Sequence, residues 1–202
     1  MTDSPRYVAN LTKGSLKVAE SREIARLLLE GLSPSEVQAA AIKDNLLQKR
    51  SPEATRTLAS HLAWRFTGVP PCLLELVVHG SSREATQACL ACLAIKSALF
   101  SDYLTDSVAE VRAQRRSHLA PADWSTYLDA LESREAAVRS WTSPVRAKLR
   151  QNIWRILAEA EIIDSTKHRR LQNVRLEESV KKCLAGSMLT STIRALVAGG
   201  VE

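Results

Sequence analysis

Residues 141–164 read Trp-Thr-Ser-Pro-Val-Arg-Ala-Lys-Leu-Arg-Gln-Asn-Ile-Trp-Arg-Ile-Leu-Ala-Glu-Ala-Glu-Ile-Ile-Asp, and residues 165–175 continue Ser-Thr-Lys-His-Arg-Arg-Leu-Gln-Asn-Val-Arg. Thr142 or Ser143 can cap a helix, and Pro144 suits the first helical position because its φ is already fixed. Apolar residues then recur within about 120° of arc, which is typical of a helix with one buried face. They are Val145, Leu149, Ile153, Ile156, Leu157 and Ala160. A short basic segment follows, as in the wing of a winged helix-turn-helix, so this order of parts predicts a surface for a nucleic-acid backbone.

Positive charge is concentrated in the same part of the chain. The net charge is +6, and residues 139–182 hold 11 Lys or Arg against 5 Asp or Glu. The remaining residues balance at 17 of each sign, so the whole excess lies in this one segment. Such a localised excess favours a specific anionic partner over a general contribution to solubility.

The Lys and Arg side chains of the helix and of the wing are the candidate phosphate ligands. Gln151 and Arg146 are the candidates for side chains that face a groove of the nucleic acid. The complete set of candidate contacts is Arg139, Arg146, Lys148, Arg150, Gln151, Arg155, Lys167, Arg169, Arg170 and Arg175. We interpret Trp141 and Trp154 as packing residues that fix the helix. A basic face that is simply solvated is the alternative interpretation.

Helix-start signals recur through the rest of the chain, notably the Ser-Pro pairs at residues 33–34 and 51–52. The sequence predicts helices over residues 21–31, 34–50, 52–67, 71–79, 83–100, 101–114, 121–131, 176–184 and 189–197, and residues 132–140 form a short helix or continue the one before. We therefore predict an all-α fold, a helical bundle over residues 1–117 followed by a winged helix-turn-helix-like part over residues 118–202. The second part carries a short β-hairpin wing, and the two parts pack as one globule.

The Cys and His residues do not form a pattern that is typical of a chemical site. Cys89 and Cys92 form a Cys-x-x-Cys inside an apolar helix, without the second ligand pair that zinc needs, and are interpreted as core residues. Cys72 and Cys183 are isolated and are interpreted in the same way. The four His are scattered, and no Gly-rich phosphate loop or nucleophile-and-base arrangement is present. We predict no catalytic residue, no metal and no cofactor.

The sequence also bears on the compartment. No stretch approaches the roughly 20 apolar residues that cross a bilayer, and the first residues do not resemble a signal peptide. Four Cys in 202 residues do not suggest a disulfide framework. We expect a cytoplasmic protein without membrane contact.

The pattern of residues 7–30, the long apolar central helix and above all residues 141–163 resemble the BrxA family, which are small proteins of BREX bacteriophage-exclusion systems. The resemblance covers nearly the whole chain. It implies an all-helical DNA-binding protein that works beside a methyltransferase, an ATPase and a phosphatase-like partner, and it brings no catalytic residues. The family is also described as similar to NusB-type antitermination factors, which implies RNA as an alternative ligand. An older label for the family, inner-membrane protein, has no support in this sequence.

Three functional hypotheses remain after these observations. The leading one is a non-enzymatic protein that binds double-stranded DNA with little sequence preference, because few plausible base readers accompany many phosphate binders. The second is a protein–protein adaptor within the BREX complex, whose basic segment docks on an acidic partner. The third is an RNA-binding, antitermination-like factor.

Overall fold

The computed structural model describes residues 6–185, and the fold is all-α, as the sequence predicts. Its helices in chain order are α1 (Val18–Leu29), α2 (Pro34–Lys43), α3 (Pro52–Phe66), α4 (Pro71–His79), α5 (Ser82–Lys96), α6 (Ala98–Tyr103), α7 (Ala109–Ala113), α8 (Pro121–Arg134), α9 (Ala136–Arg139), α10 (Ser143–Glu159) and α11 (Glu178–Leu184). A 3₁₀ turn, Asn10–Lys13, precedes them, and a π-helical turn, Leu104–Val108, joins α6 to α7. The predicted helix over residues 189–197 lies outside the described residues.

The described chain divides into two compact units that alternate along the sequence. The first unit holds residues 6–15 and 97–175, and the second holds residues 16–96 and 176–185. The sequence predicted a single boundary after residue 117, whereas these units divide the chain after residues 15, 96 and 175. The difference arises because the chain returns to the second unit after residue 175. No change in local composition marks that point in the sequence.

The second unit is a bundle of α1–α5 with the short α11. Helix α2 packs on α3, and α4 packs on both α1 and α5. Ser33 and Glu36 form the predicted capping box at the start of α2, since the side chain of each accepts from the backbone of the other. Helix α5 is the buried centre of this bundle, as its run of small and apolar residues predicts, with every residue from Gln87 to Ala94 buried.

Helices α2 and α5 end well before the residues that the sequence predicts. Helix α2 stops at Lys43 rather than near residue 50, because Asn45 takes a left-handed conformation (φ 44°) and the amide of Leu46 donates back to the Ala41 carbonyl at 3.1 Å. Helix α5 stops at Lys96 rather than at residue 100. Ser97 is extended there, and its hydroxyl accepts from the amide of Phe100, which caps the next helix instead.

The first unit contains the predicted nucleic-acid segment. Tyr103 packs edge-on against Trp124 and Tyr127, with ring centroids 5.3 Å apart in both pairs, and the Tyr127 hydroxyl donates to the Leu99 carbonyl at 2.9 Å. Burial raises the pKa of Tyr103 to about 12. The apolar face of α10 completes this core, and Asn152, buried beside it, donates to the Leu11 carbonyl at 2.7 Å.

Two of the four cysteines form a disulfide that the sequence did not predict. Cys89 and Cys92 are buried as predicted, and burial raises the pKa of the Cys92 thiol. Cys72 and Cys183 are not isolated, because α4 and α11 bring their Cα atoms to 5.9 Å and the two form a disulfide. Their separation of 111 residues explains why no local spacing revealed the pair. Within residues 6–185, no group of three or more His, Cys, Asp or Glu side chains is arranged to hold a metal ion.

Among residues 6–185, no single helix is both long enough and apolar enough to cross a membrane. One bent pair, Ser82–Lys96 with Ala98–Ala113, meets the requirement jointly, by length and composition only.

Candidate nucleic-acid interface

Helix α10 presents one face to solvent and the opposite face to the core. Leu149, Ile153, Ile156 and Leu157 are fully buried, as the amphipathic pattern predicts. The exposed face carries Pro144, Ala147, Lys148, Gln151 and Arg155, which fall within about 100° of arc at 3.6 residues per turn. The polar stripe begins in the first turn and continues to Arg155, and Glu159 is exposed one turn beyond it.

The start of α10 also remains available to a ligand. Thr142 occupies the N-cap position with an extended backbone, but its hydroxyl does not make the predicted capping hydrogen bond. Pro144 follows in the first turn, which contains no acidic residue. Exposed amides at a helix N-terminus favour an anion through their partial positive charge. The exposed hydroxyls of Thr142 and Ser143 add uncharged donors beside them.

The segment after α10 is held by backbone hydrogen bonds rather than by regular strands. The amide of Asp164 donates to the Arg170 carbonyl and that of Gln172 to the Ile162 carbonyl, both at 2.9 Å. The Leu171 amide donates to the Ser117 carbonyl at 2.9 Å, which ties this loop to the residues before α8. Within the described chain, the predicted β-hairpin wing therefore appears as one isolated antiparallel bridge, Ile163 to Leu171, and a second bridge pairs Arg170 with His118 before α8. Arg169 interrupts the extended run because its φ is 57°.

Trp154 joins this loop, residues 162–172, to α10. It is 9 % exposed, in agreement with its predicted packing role. The guanidinium carbon of Arg169 lies 4.7 Å from the indole centroid and that of Arg150 lies 5.3 Å from it. Arg169 also donates from Nε to the Leu119 carbonyl at 3.0 Å and from Nη1 to the Thr166 carbonyl at 3.0 Å. Arg169 therefore positions the loop.

The predicted contact residues separate into two groups in the structure. Arg146 is engaged inside the unit, because it forms an ion pair with Glu132 and its Nε donates to the Trp141 carbonyl at 2.8 Å. It does not lie on the exposed face of α10, so the geometry does not place it as a groove-facing side chain. Arg150 is half-buried beside Trp154. The exposed members of the predicted set are Arg139, Lys148, Gln151, Arg155, Lys167, Arg170 and Arg175.

The exposed face of α10 borders a concavity of about 570 Å³. Six of its eight lining residues lie between Pro144 and Trp154, and Arg155 and Thr166 complete it. Lys148 and Gln151 are connected across one turn of this face, with the ammonium donating to the amide oxygen at 3.3 Å. The concavity thus brings two exposed cations, an uncharged polar side chain and the loop together on one surface.

Several cations of this surface lack a carboxylate partner, although other cations of the unit form ion pairs. Arg6 pairs with Asp102 and Arg116 pairs with Asp123, each at 2.8 Å. Arg155, Lys167 and Arg170, in contrast, have no carboxylate within ion-pairing distance in residues 6–185. Unpaired cations that stay solvated on one face create the positive potential that attracts a polyanion.

Two residues of this surface were not predicted from the sequence. Thr166 lines the concavity, and the Asp164 carboxylate accepts from the Arg170 amide at 2.9 Å and from the Ser165 hydroxyl at 3.2 Å. Desolvation opposes ionisation of Asp164, but these hydrogen bonds outweigh it and keep its pKa below the usual value. An Asp-Ser-Thr run after an apolar stretch is a turn signal that could have located this loop-fixing carboxylate.

Known proteins resemble this chain in sequence over most of its length. A sequence model of the BrxA family matches residues 5–187. The chain belongs to the BrxA family. This BrxA-family chain is 33 % identical over 192 residues to the "BREX protein BrxA" of Paramagnetospirillum magneticum, which covers 95 % of this chain and 96 % of that protein. It is 28 % identical to the "BREX protein BrxA" of Escherichia coli O9:H4, over 84 % of this chain and 80 % of that protein.

A solved structure shares the fold of this BrxA-family chain. The crystal structure of an uncharacterized protein from Magnetospirillum magneticum superimposes with a TM-score of 0.84 and 32 % sequence identity. The match covers 95 % of this chain and 98 % of that one. The family therefore groups this chain with components of BREX phage-defence systems.

Proposed function

We propose that this chain is a non-enzymatic component of a BREX phage-defence system that binds the phosphate backbone of double-stranded DNA through α10 and the loop after it. The observation that carries the proposal is the set of solvated cations without carboxylate partners, Lys148, Arg155, Lys167 and Arg170, in the part of the chain described here. Phosphate contacts of this kind supply most of the affinity of sequence-independent DNA binding.

The order of elements in the first unit supports a helix-turn-helix mode of binding. Helices α8 and α10 follow one another with only the four-residue α9 between them, and the loop over residues 162–172 follows α10 directly. Winged helix-turn-helix proteins place the second helix in the major groove, which admits one α-helix, and use the wing on the backbone. The exposed N-terminal half of α10 is the half that such a mode uses.

Recognition of a specific sequence is not expected from this surface. Gln151 is the exposed uncharged side chain on the helix face that can pair with a base edge, and its amide oxygen already accepts from Lys148. Arg146, the other predicted reader, is held by Glu132. Because cations outnumber candidate base readers, we propose binding with little sequence preference.

A competition experiment tests this function. Labelled duplex DNA bound to the purified chain is challenged with equal concentrations of unlabelled duplex DNA, single-stranded DNA and structured RNA. The proposal expects duplex DNA of unrelated sequences to compete best and nearly equally. Preferential displacement by RNA would replace it with an antitermination-like role, since A-form helices do not admit a protein helix into their major groove.

Binding is expected to depend steeply on salt. If Lys148, Arg150, Arg155, Lys167 and Arg170 each neutralise one phosphate, the logarithm of the affinity falls by about 4.5 per decade of salt, since each contact contributes about 0.9. The affinity then drops about 500-fold between 50 and 200 mM salt. Fluorescence anisotropy with a duplex of fixed length measures this slope. A slope shallower than about 2 would contradict a surface of this size.

The family also suggests protein partners. We propose that the chain works beside other BREX subunits, for which the resemblance implies a methyltransferase, an ATPase and a phosphatase-like protein. Co-purification with these subunits, repeated after nuclease treatment, separates direct contact from bridging by DNA. Retention after nuclease treatment, combined with absent DNA binding, would favour the adaptor hypothesis instead.

A further inference from the structure

Cys72 and Cys183 form a solvent-accessible pair in the second unit, whereas the candidate nucleic-acid interface belongs to the first. Cys72 is the second residue of α4 and is exposed, whereas Cys183 lies near the end of α11 and is half-buried. Their Cα atoms are 5.9 Å apart and the two side chains are bonded. This separation falls within the range of about 4.4–6.8 Å that suits a disulfide without backbone movement.

Helix α11 is attached to the unit that it joins by several contacts besides the disulfide, among them the ion pair of Arg83 with Glu177 just before it, at 3.5 Å. It has seven residues, which is too short for a helix to be stable by itself. Val180 and Leu184 are buried, and the Ser179 hydroxyl donates to a Glu84 carboxylate oxygen at 2.6 Å. Just before the helix, the Glu177 amide donates to the Gln87 side chain at 2.8 Å. The disulfide adds a covalent tether between α11 and α4 to these non-covalent contacts.

We propose that Cys72 and Cys183 are a reversible thiol–disulfide switch that fastens α11 to α4 when oxidised and loosens it when reduced. Closing uses a small disulfide of the glutathione class as oxidant. The Cys72 thiolate attacks one sulfur of that molecule and displaces a small thiolate, which leaves a mixed disulfide on Cys72. The Cys183 thiolate then attacks the Cys72 sulfur and displaces the second small thiolate. The two cysteines lose two electrons and two protons, and the small disulfide becomes two thiols.

The surroundings of the pair favour this exchange. The first turn of α4 contains no acidic residue, and a helix N-terminus stabilises a thiolate. Lys182 precedes Cys183 directly and is exposed. The exposed carboxylate of Glu75, one turn beyond Cys72, opposes the thiolate, and it lies 3.6 Å from the imidazole of His79.

The two remaining cysteines supply an internal control. Cys89 and Cys92 are fully buried in α5, and burial raises the pKa of the Cys92 thiol, which keeps it protonated and unreactive. A reagent or a redox buffer that acts through solvent therefore reaches Cys72 and leaves this second pair unchanged.

The test is alkylation of the full native chain, equilibrated with reduced or with oxidised glutathione and then read by peptide mass spectrometry. If the pair is a switch, Cys72 and Cys183 are alkylated only in the reduced sample. Cys89 and Cys92 are alkylated in neither sample. Hydrogen exchange of the amides of residues 178–184 is expected to be about tenfold faster or more in the reduced sample, because the tether is lost.

Variants make the experiment specific to this pair. Cys72→Ser and Cys183→Ser are each expected to show the fast exchange of α11 in both buffers, whereas Cys89→Ala keeps the difference between them. Exchange rates of residues 178–184 that do not change with the redox buffer would overturn the proposal. Thiols at Cys72 and Cys183 that stay free in oxidised glutathione would overturn it equally.

Discussion

A variant with Lys148→Glu and Arg155→Glu is expected to bind duplex DNA at least about 100-fold more weakly than the native chain. Both side chains are exposed on one face of α10, and neither pairs with a carboxylate among the described residues. Each reversal removes a charge-assisted hydrogen bond of about 1.5–3 kcal/mol and adds repulsion from the phosphates. Two such losses exceed the 2.7 kcal/mol or so that corresponds to 100-fold in affinity. Fluorescence anisotropy at about 0.1 M salt, where charges are screened beyond about 10 Å, measures the change.

The matched control, Lys43→Glu with Arg50→Glu, reverses the charge of two exposed side chains in the other unit. It changes the net charge of the chain by the same amount, so a purely global electrostatic effect would weaken both variants alike. We expect the control to bind within about threefold of the native chain, because screening limits long-range effects at ordinary ionic strength. Equal losses in both variants would mean that net charge, and not the face of α10, governs binding. Circular dichroism verifies that both variants remain helical.

Local sequence signals predicted most of the helices because their causes are local. For example, Ser33 followed by Pro34, with Glu36 three residues after the cap, predicts a capping box, and the structure contains it at the start of α2. The spacing of apolar residues predicted the buried face of α10 correctly, because one face of an amphipathic helix packs on the core. Helix ends were less predictable, and α2 stops at Lys43 because Asn45 accepts a left-handed conformation.

The contact residues were predicted less completely, because charge and spacing do not reveal partners that are distant in sequence. Arg146 and Lys148 are both basic and two residues apart, yet Arg146 meets Glu132 and Lys148 faces solvent. Arg169 was expected on phosphate, but its guanidinium is directed to Trp154 and to backbone carbonyls. The Cys72–Cys183 pair is a similar case, since only the tertiary fold brings α4 and α11 together.

Replacement of Trp154 by Ala is expected to lower the free energy of unfolding of the first unit by about 3–5 kcal/mol, the usual cost of truncating a large buried aromatic side chain. The guanidinium groups of Arg150 and Arg169 also contact the indole ring, and each cation–π contact contributes about 0.5–2 kcal/mol. Urea unfolding followed by circular dichroism measures the loss. Because Arg169 and Arg150 lose the surface that orients them, DNA binding should also weaken under conditions in which the variant is still folded.

Trp64→Ala is the control for this substitution, since Trp64 lies on α3 in the other unit and is half-buried. Lys96 lies 5.8 Å from its ring centroid, so this tryptophan also has a cation beside it. We expect a smaller loss than for Trp154→Ala, because Trp64 is less buried, and unchanged DNA affinity, because Trp64 is not part of the face of α10 or of the loop after it. If Trp154→Ala bound DNA as tightly as the native chain while remaining folded, the loop after α10 would not depend on its anchor. The binding surface would then reduce to the exposed face of α10.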